Sequence, residues 1–168
     1  MAEAYQMNHD ANTEVATSRS LLNAFLAYAL LTVPDQLLGR IETGDSIHMY
    51  GQNHELIFAS LGFFQLTSYS LEELMCNTWS DLFTSDLPVV KSQFMSLTLE
   101  TVAGKRRHVT DTSYIENHVE YELRSPERRA AAMIPRLHSP VFALDGSVAG
   151  YLCFSKFLSI PNNELSLN

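Results

Sequence analysis

Six histidines, two cysteines and one adjacent carboxylate pair carry most of the reactive chemistry this sequence could perform. Cys76 and Cys153 lie in no CxxC pair and share no metal-type spacing with any histidine, so they read as buried thiols in a reducing compartment. The histidines include no pair at ligand spacing, and a metal site needs convergent ligands at fixed intervals. Glu72 and Glu73 are neighbours; on a helix their side chains point about 100° apart and cannot converge on one substrate atom. The sequence has no GxSxG elbow, Walker loop, HExxH or GxGxxG. The run Lys105-Arg106-Arg107 could meet an acidic partner or a phosphate, but it is too short for a nucleic-acid patch and reads as a solvated loop. These residues point to a binding protein rather than an enzyme.

Charge and length narrow the class further. The formal net charge of -8 opposes non-specific attraction to nucleic acid or to an anionic membrane, which carry the same sign. Residues 1–100 hold twelve acidic side chains against Arg19, Arg40 and Lys91, whereas residues 101–168 hold eight basic against seven acidic. Two such halves could attract each other between subunits, but ordinary solvated faces account for them, because exposed ion pairs contribute only ~0–1 kcal/mol each. A chain of 168 residues is the size of one domain, able to bury roughly 70% of its unfolded surface without staples. No segment reaches the ~18 apolar residues of a membrane span, and the acidic start lacks the positive flank of a signal peptide. The expected setting is intracellular, in cytoplasm or nucleus, with no direct nucleic-acid or membrane partner.

The elements that must position these residues follow from periodicity. Residues 1–12 are polar and aperiodic and read as a disordered tail. In the region 13–40, Leu22, Phe25, Leu26, Ala29, Leu30 and Val33 recur at helical spacing from about Thr13 to Val33, and Pro34 ends the run. That stripe must cover something apolar, either its own sheet or a partner's. Strands are expected at Ser46–Tyr50 and Glu55–Ala59 around a Gly51–His54 turn. Ser70 is an N-cap for a short helix, and Ser85-Asp86 opens a longer one that runs to about Val102 and stops at Gly104. Residues 105–118 have no clear period and read as a loop or insertion. Val119, Tyr121 and Leu123 alternate with Glu120, Glu122 and Arg124, the signature of a half-buried strand, and Ser125-Pro126-Glu127 turns it. Ala131–Phe142 is the next strand, with Pro135 and Pro140 marking bulged or edge positions. Asp145-Gly146 turns into a last strand, Ser147–Leu158, and 159–168 is a polar tail.

Two stretches carry a family likeness. Leu56 to Leu74, containing Leu66-Thr67-Ser68-Tyr69-Ser70 and Glu72-Glu73-Leu74, resembles the PAS pattern of a strand, a short helix ending in "LTGYS", then "EEL". Ser139-Pro140-Val141 followed by Asp145-Gly146-Ser147-Val148-Ala149-Gly150-Tyr151 is similar to the family's closing hairpin. The likeness spans residues 45–158. It implies an α+β PAS fold: a five-stranded antiparallel sheet with helices over one face, a cavity between the long helix and the sheet, and the N-terminal amphipathic helix on the other face. Ser68 stands where the family usually has glycine, and 105–118 is longer than the usual connection.

The resemblance also frames the ligand question, because PAS cavities hold heme, flavin or metabolites, or are filled by side chains. In the light-sensing members a cysteine follows the "EEL" helix; here Trp79 takes that place, Cys76 is displaced by three residues, and the flavin-holding amides fall near Ile134 and Ser155. His108 and His118 are expected to face solvent. His138 shares parity with Ile134 toward the helices and reads as a core or edge histidine rather than an iron ligand. The candidate cavity residues are Trp79, Phe83, Phe94, Leu97, Ile134, His138, Tyr151, Cys153 and Ser155. No cofactor is expected, with heme and flavin left open. The function expected is a non-catalytic PAS module acting in trans, since no effector domain follows Leu158, through a homodimer or another PAS or regulatory protein. The alternative is a small-molecule or cofactor sensor.

Overall fold

The computed structural model describes residues 2–124 and 130–159. In chain order these form α1 (Ala2–Tyr28), β1 (Leu31–Thr32), β2 (Asp45–Gly51), β3 (Leu56–Ala59), α2 (Leu61–Leu66), α3 (Leu71–Cys76) and α4 (Trp79–Leu82). They continue as β4 (Phe83–Ser85), α5 (Pro88–Val102), β5 (Thr110–Asp111), β6 (His118–Glu122), β7 (Ala130–Ala143) and β8 (Val148–Ser159). The turn expected at Ser125-Pro126-Glu127 and the tail from Ile160 onward lie outside the described residues.

All strand pairs are antiparallel, in the order β3-β2-β8-β7-β6-β4. The five expected strands are the body of this sheet. The extra ones are short: β4 extends the edge beyond β6, while β5 and β1 pair with the part of β7 that β6 does not reach. β5 thus gives residues 105–118 a two-residue strand where the sequence suggests only a loop.

Local chemistry sets the helix ends. Ser70 and Glu73 form a reciprocal capping box at α3, with Ser70 Oγ accepting from Glu73 N at 3.3 Å and Glu73 Oε2 accepting from Ser70 N at 2.9 Å. Helix α5 starts at Pro88 rather than Asp86, because proline supplies the first helical position, where no N–H is needed. It ends before Gly104, whose φ of +72° is the left-handed stop. On β8, Gly150 lies against β2 so closely that a Cβ there would sit 2.1 Å from the Tyr50 carbonyl oxygen. The closing-hairpin glycine is therefore fixed by strand contact.

Helix α1 lies on the outer sheet face. Leu22 is fully buried and Leu26 nearly so, against Ile47, Met49, Leu152 and Phe154. Phe25 packs on Phe58 with ring centroids 5.1 Å apart, and Ala29 and Val33 are half-buried. Leu30 departs from the expected stripe. The helix ends at Tyr28, Leu30 adopts φ +55°, and its side chain is turned 63% into solvent. The helix also begins at Ala2 rather than Thr13. Alanine, glutamate, glutamine and methionine are strong helix formers, so the backbone continues where the apolar stripe does not. Among the described residues no helix is long and apolar enough to cross a membrane.

Two strands place their side chains differently from the simple alternation. On β6 the buried residues are His118, Glu120 and Glu122, with Val119 and Tyr121 only half-buried. The carboxylates take the inner face because partners await them there. His118 Nε2 lies 3.0 Å from Glu120 Oε1, and Ser68 donates to Glu122 through both its N–H, at 2.7 Å, and its hydroxyl. On β7 the register shifts between Pro135 and Leu137, leaving Arg136 as the bulged residue. A one-residue bulge exchanges the faces. Met133 and Pro135 share the inner face with His138 and Pro140, whereas Ile134 moves outward. Arg136 uses its position to reach Asp45 and Glu42.

Candidate functional site

A cavity of about 230 Å³ lies between the inner sheet face, α4 and α5. Its floor is β2 and β8: His48 and Tyr50 stand beside their cross-strand neighbours Cys153 and Tyr151. β2 is buried along its whole length, because Ile47 and Met49 pack in the outer core with α1 while Phe63 of α2 and Trp79 of α4 cover His48 on the inner face. α4 and β4 contribute Thr78, Trp79, Ser80, Phe83 and Ser85; α5 contributes Val90, Lys91, Phe94, Met95 and Thr98. Glu120, Met133 and His54 complete the lining. Ser80, Lys91 and Met95 are exposed, so the mouth opens between α4 and α5.

Two stacked aromatic pairs give the cavity its walls. Trp79 and Phe83 stack at 4.3 Å, and Tyr50 and Tyr151 at 5.0 Å. His48 lies parallel to Trp79, 5.6 Å away and tilted by 10°, and His138 stacks behind Tyr151 at 5.3 Å. Most of the polar groups have local partners: His138 Nε2 lies 3.5 Å from Thr98 Oγ1, and His54 Nδ1 lies 3.2 Å from the Tyr151 hydroxyl. His48 Nε2 has no partner, although the residue is only 2% exposed.

Burial decides the protonation of this floor. It lowers His48 and His138 to about 3, with the Arg106 charge adding to the second, so both imidazoles are neutral at physiological pH. Burial likewise pushes the Cys153 thiol up to about 12 and raises Tyr50 and Tyr151 above the usual phenol value. At His118, burial works against the charged form, but hydrogen bonds to Glu120 and the Glu116 carbonyl outweigh it and the net shift is upward. The floor is uncharged, and the charge at the margin is the His118–Glu120 pair and the exposed Lys91.

Of the residues expected in the cavity from sequence, Trp79, Phe83, Phe94, Tyr151 and Cys153 line it. Leu97 is buried beside it without reaching it, and His138 stands one layer back, behind Tyr151 and Thr98. Ser155 shares the inner face, one pair beyond Cys153, outside the lining. Ile134 is displaced by the β7 bulge and Met133 takes its place. His118 is buried rather than solvent-facing, because Glu120 turns inward to receive it. Sequence reasoning missed His48, Tyr50, Thr98, Glu120 and Met133. The signal for the first two was available, since they share parity on a strand that must pair with β8.

No known protein-family model matches the chain, and no curated protein matches it. Similar solved structures include the PAS domain of a protein from Colwellia psychrerythraea, at 14% identity and TM-score 0.47, covering 70% of this chain and 88% of that one. A sensory box sensor histidine kinase from Vibrio cholerae is similar at 12% identity and TM-score 0.42, with 89% and 98% covered. The phage VqmA–DPO complex is similar at 13% identity and TM-score 0.44, with 86% covered here and 56% there. The fold is PAS-like. The antiparallel sheet, the inner cavity under α5 and the outer helix each match what the PAS resemblance implies, and the likeness to these structures is one of fold alone.

Proposed function

We propose that this PAS-like chain is a non-catalytic signalling module whose input is a small molecule held in the inner cavity. The cavity carries this reading. A face used for structure alone would be packed to interior density, whereas here about 230 Å³ stays open between two aromatic walls. Output has a route through β8. Tyr151 and Cys153 line the cavity, while Leu152 and Phe154, alternating with them, pack under α1 in the outer core. A change in the floor therefore reaches the helix through one strand.

The resemblance also raises heme and flavin, and the size of the cavity favours neither. The cavity is smaller than the ~300–1,000 Å³ pockets that hold drug-sized ligands, and both cofactors are at least drug-sized. The purified protein is expected to be colourless. Native mass spectrometry tests the sensing function: the expected result is a non-covalent small-molecule adduct, lost when Val90→Trp fills the cavity. The reading fails if no adduct is retained and no compound of a small-molecule library raises the melting temperature.

A second reading, partner binding, is favoured by one corner of the surface. Tyr28, Leu30 and Leu144 are 89%, 63% and 70% exposed, and the pairing of Leu31 with Ala143 brings the last two together. Because the Leu22 and Leu26 face is spent on the chain's own sheet, a homodimer or a regulatory partner would use this corner. Sedimentation of the chain and of Tyr28→Asp separates the cases: self-association abolished by the substitution supports the reading, and a monomer in both refutes a homodimer.

A further inference from the structure

One carboxylate on the cavity wall is only half used, and what it lacks defines a guest; this step rests on the sensing function proposed above. Two glutamates of β6 turn inward. Glu122 is spent, because both its oxygens accept from Ser68. Glu120 is not. Its Oε1 meets His118 Nε2 at 3.0 Å, whereas Oε2 accepts no hydrogen bond among the described residues. Nor is that oxygen sealed off, as the unpartnered Ser46 Oγ, His48 Nε2 and Ser155 Oγ are. The Glu120 side chain lines the cavity and keeps 9% of its surface exposed. It also borders a cleft of about 20 Å³ on the Glu122 side, which has room for no more than a water molecule. The carboxylate reaches the other way, toward His118, whose ring lies 6.2 Å from the cavity-lining Phe94. Its charge is felt across the cavity at Tyr50, where it adds to the upward shift of the phenol.

A buried carboxylate with a spare oxygen is best completed by a charged donor, because an N–H···O bond between ions is roughly twice as strong as one between neutral groups. Nothing comparable awaits an anion. The buried His48 and His138 are neutral, Arg106 and Arg107 are held by Glu100 and the Gly146 carbonyl, and Lys91 stands in water at the mouth. Aromatic walls suit a cation as well, through the negative face of each ring. A cavity of about 150 Å³ accommodates benzene. One of about 230 Å³ leaves space for a ring with a short arm. We propose that the cavity binds a small protonated amine carried on an apolar body, with its ammonium donating to Glu120 Oε2 and its body lying against Trp79, Phe83 and Phe94.

Probes of nearly one outline test this. Benzylamine is cationic at neutral pH, benzyl alcohol replaces the ammonium by a neutral donor, ethylbenzene replaces it by a methyl group, and benzoate carries the opposite charge. By calorimetry, benzylamine is expected to bind at least about tenfold more tightly than any of the other three. Glu120→Gln, which keeps an acceptor and removes the charge, should erase that preference. Should the variant fail to fold, the wild-type protein still decides, because the Glu120 carboxyl carbon resonance must shift as benzylamine is added and saturate at the calorimetric midpoint. Equal or tighter binding of a neutral or anionic probe, a preference that survives Glu120→Gln, or a carboxyl resonance that bound benzylamine leaves unmoved overturns the proposal. If benzylamine fails while another of these probes or another compound occupies the cavity, the amine class is wrong and the sensing function stands. If nothing binds at all, the sensing function itself falls.

Discussion

At the scale of single residues, the buried titratable groups make the clearest predictions. His48 and His138 have folded pKa values of about 3 against an ordinary 6.5, so between those values the unfolded chain binds more protons than the folded one. Stability must therefore fall as pH drops below about 6.5, with each histidine contributing a slope of about 1.4 kcal/mol per pH unit. Urea unfolding at pH 7.0 and 5.5 measures it, and His138→Phe should show the shallower loss. His118 runs the other way: its contribution is complete below the ordinary histidine value and is lost as pH rises through the raised one. Asp45 is a separate case. Burial raises its pKa, the Arg136 hydrogen bond offsets part of that, and its side chain is fully covered. Arg136→Met, which leaves that carboxylate without its guanidinium, should cost about 3 kcal/mol, and Asp45→Asn in the same chain should recover part of the loss. A double-mutant cycle by chemical denaturation checks both.

At the scale of elements, α1 and β7 decide how the sheet's two faces are used. Leu22 is wholly buried on the outer face, so Leu22→Ala should cost roughly 2–5 kcal/mol. Because Leu22 packs on its own chain, the drop in melting temperature caused by Leu22→Ala should be the same at every protein concentration; a drop that changes with concentration would place the Leu22 face in a dimer contact. Leu30, with φ +55° just past the helix, should be improved by glycine. Leu30→Gly is expected to stabilise by about 0.5–1 kcal/mol in the same assay. The apolar stripe of α1, the N-cap at Ser70 and the turn at Gly146 were legible in the sequence because each depends on local spacing, whereas whether the stripe covers its own sheet or a partner's was not. The Ile134 assignment was not, since a bulge that frees Arg136 to reach Asp45 is a tertiary event, and it inverts the parity of everything before it. Glu120 and Glu122 were illegible for a related reason. Alternation shows that a strand has two faces, and only the partners His118 and Ser68 determine that the carboxylates turn inward.

At the scale of the whole molecule, two cores share one sheet. The inner core is left open as a cavity, the outer core is closed by α1, and β8 belongs to both. Methionine places a reporter in each: Met133 lines the cavity, and Met49, on β2, is fully buried against the outer core. The central claim is that this chain senses a small molecule in its inner cavity and passes the signal through the sheet. Methyl spectra of protein labelled at methionine, recorded while small-molecule fragments are titrated in, test it most directly. The account predicts fragments that move the Met133 methyl saturably and shift the Met49 methyl with the same midpoint. A library in which no fragment moves Met133, while fragments bound elsewhere shift only surface signals, would contradict it.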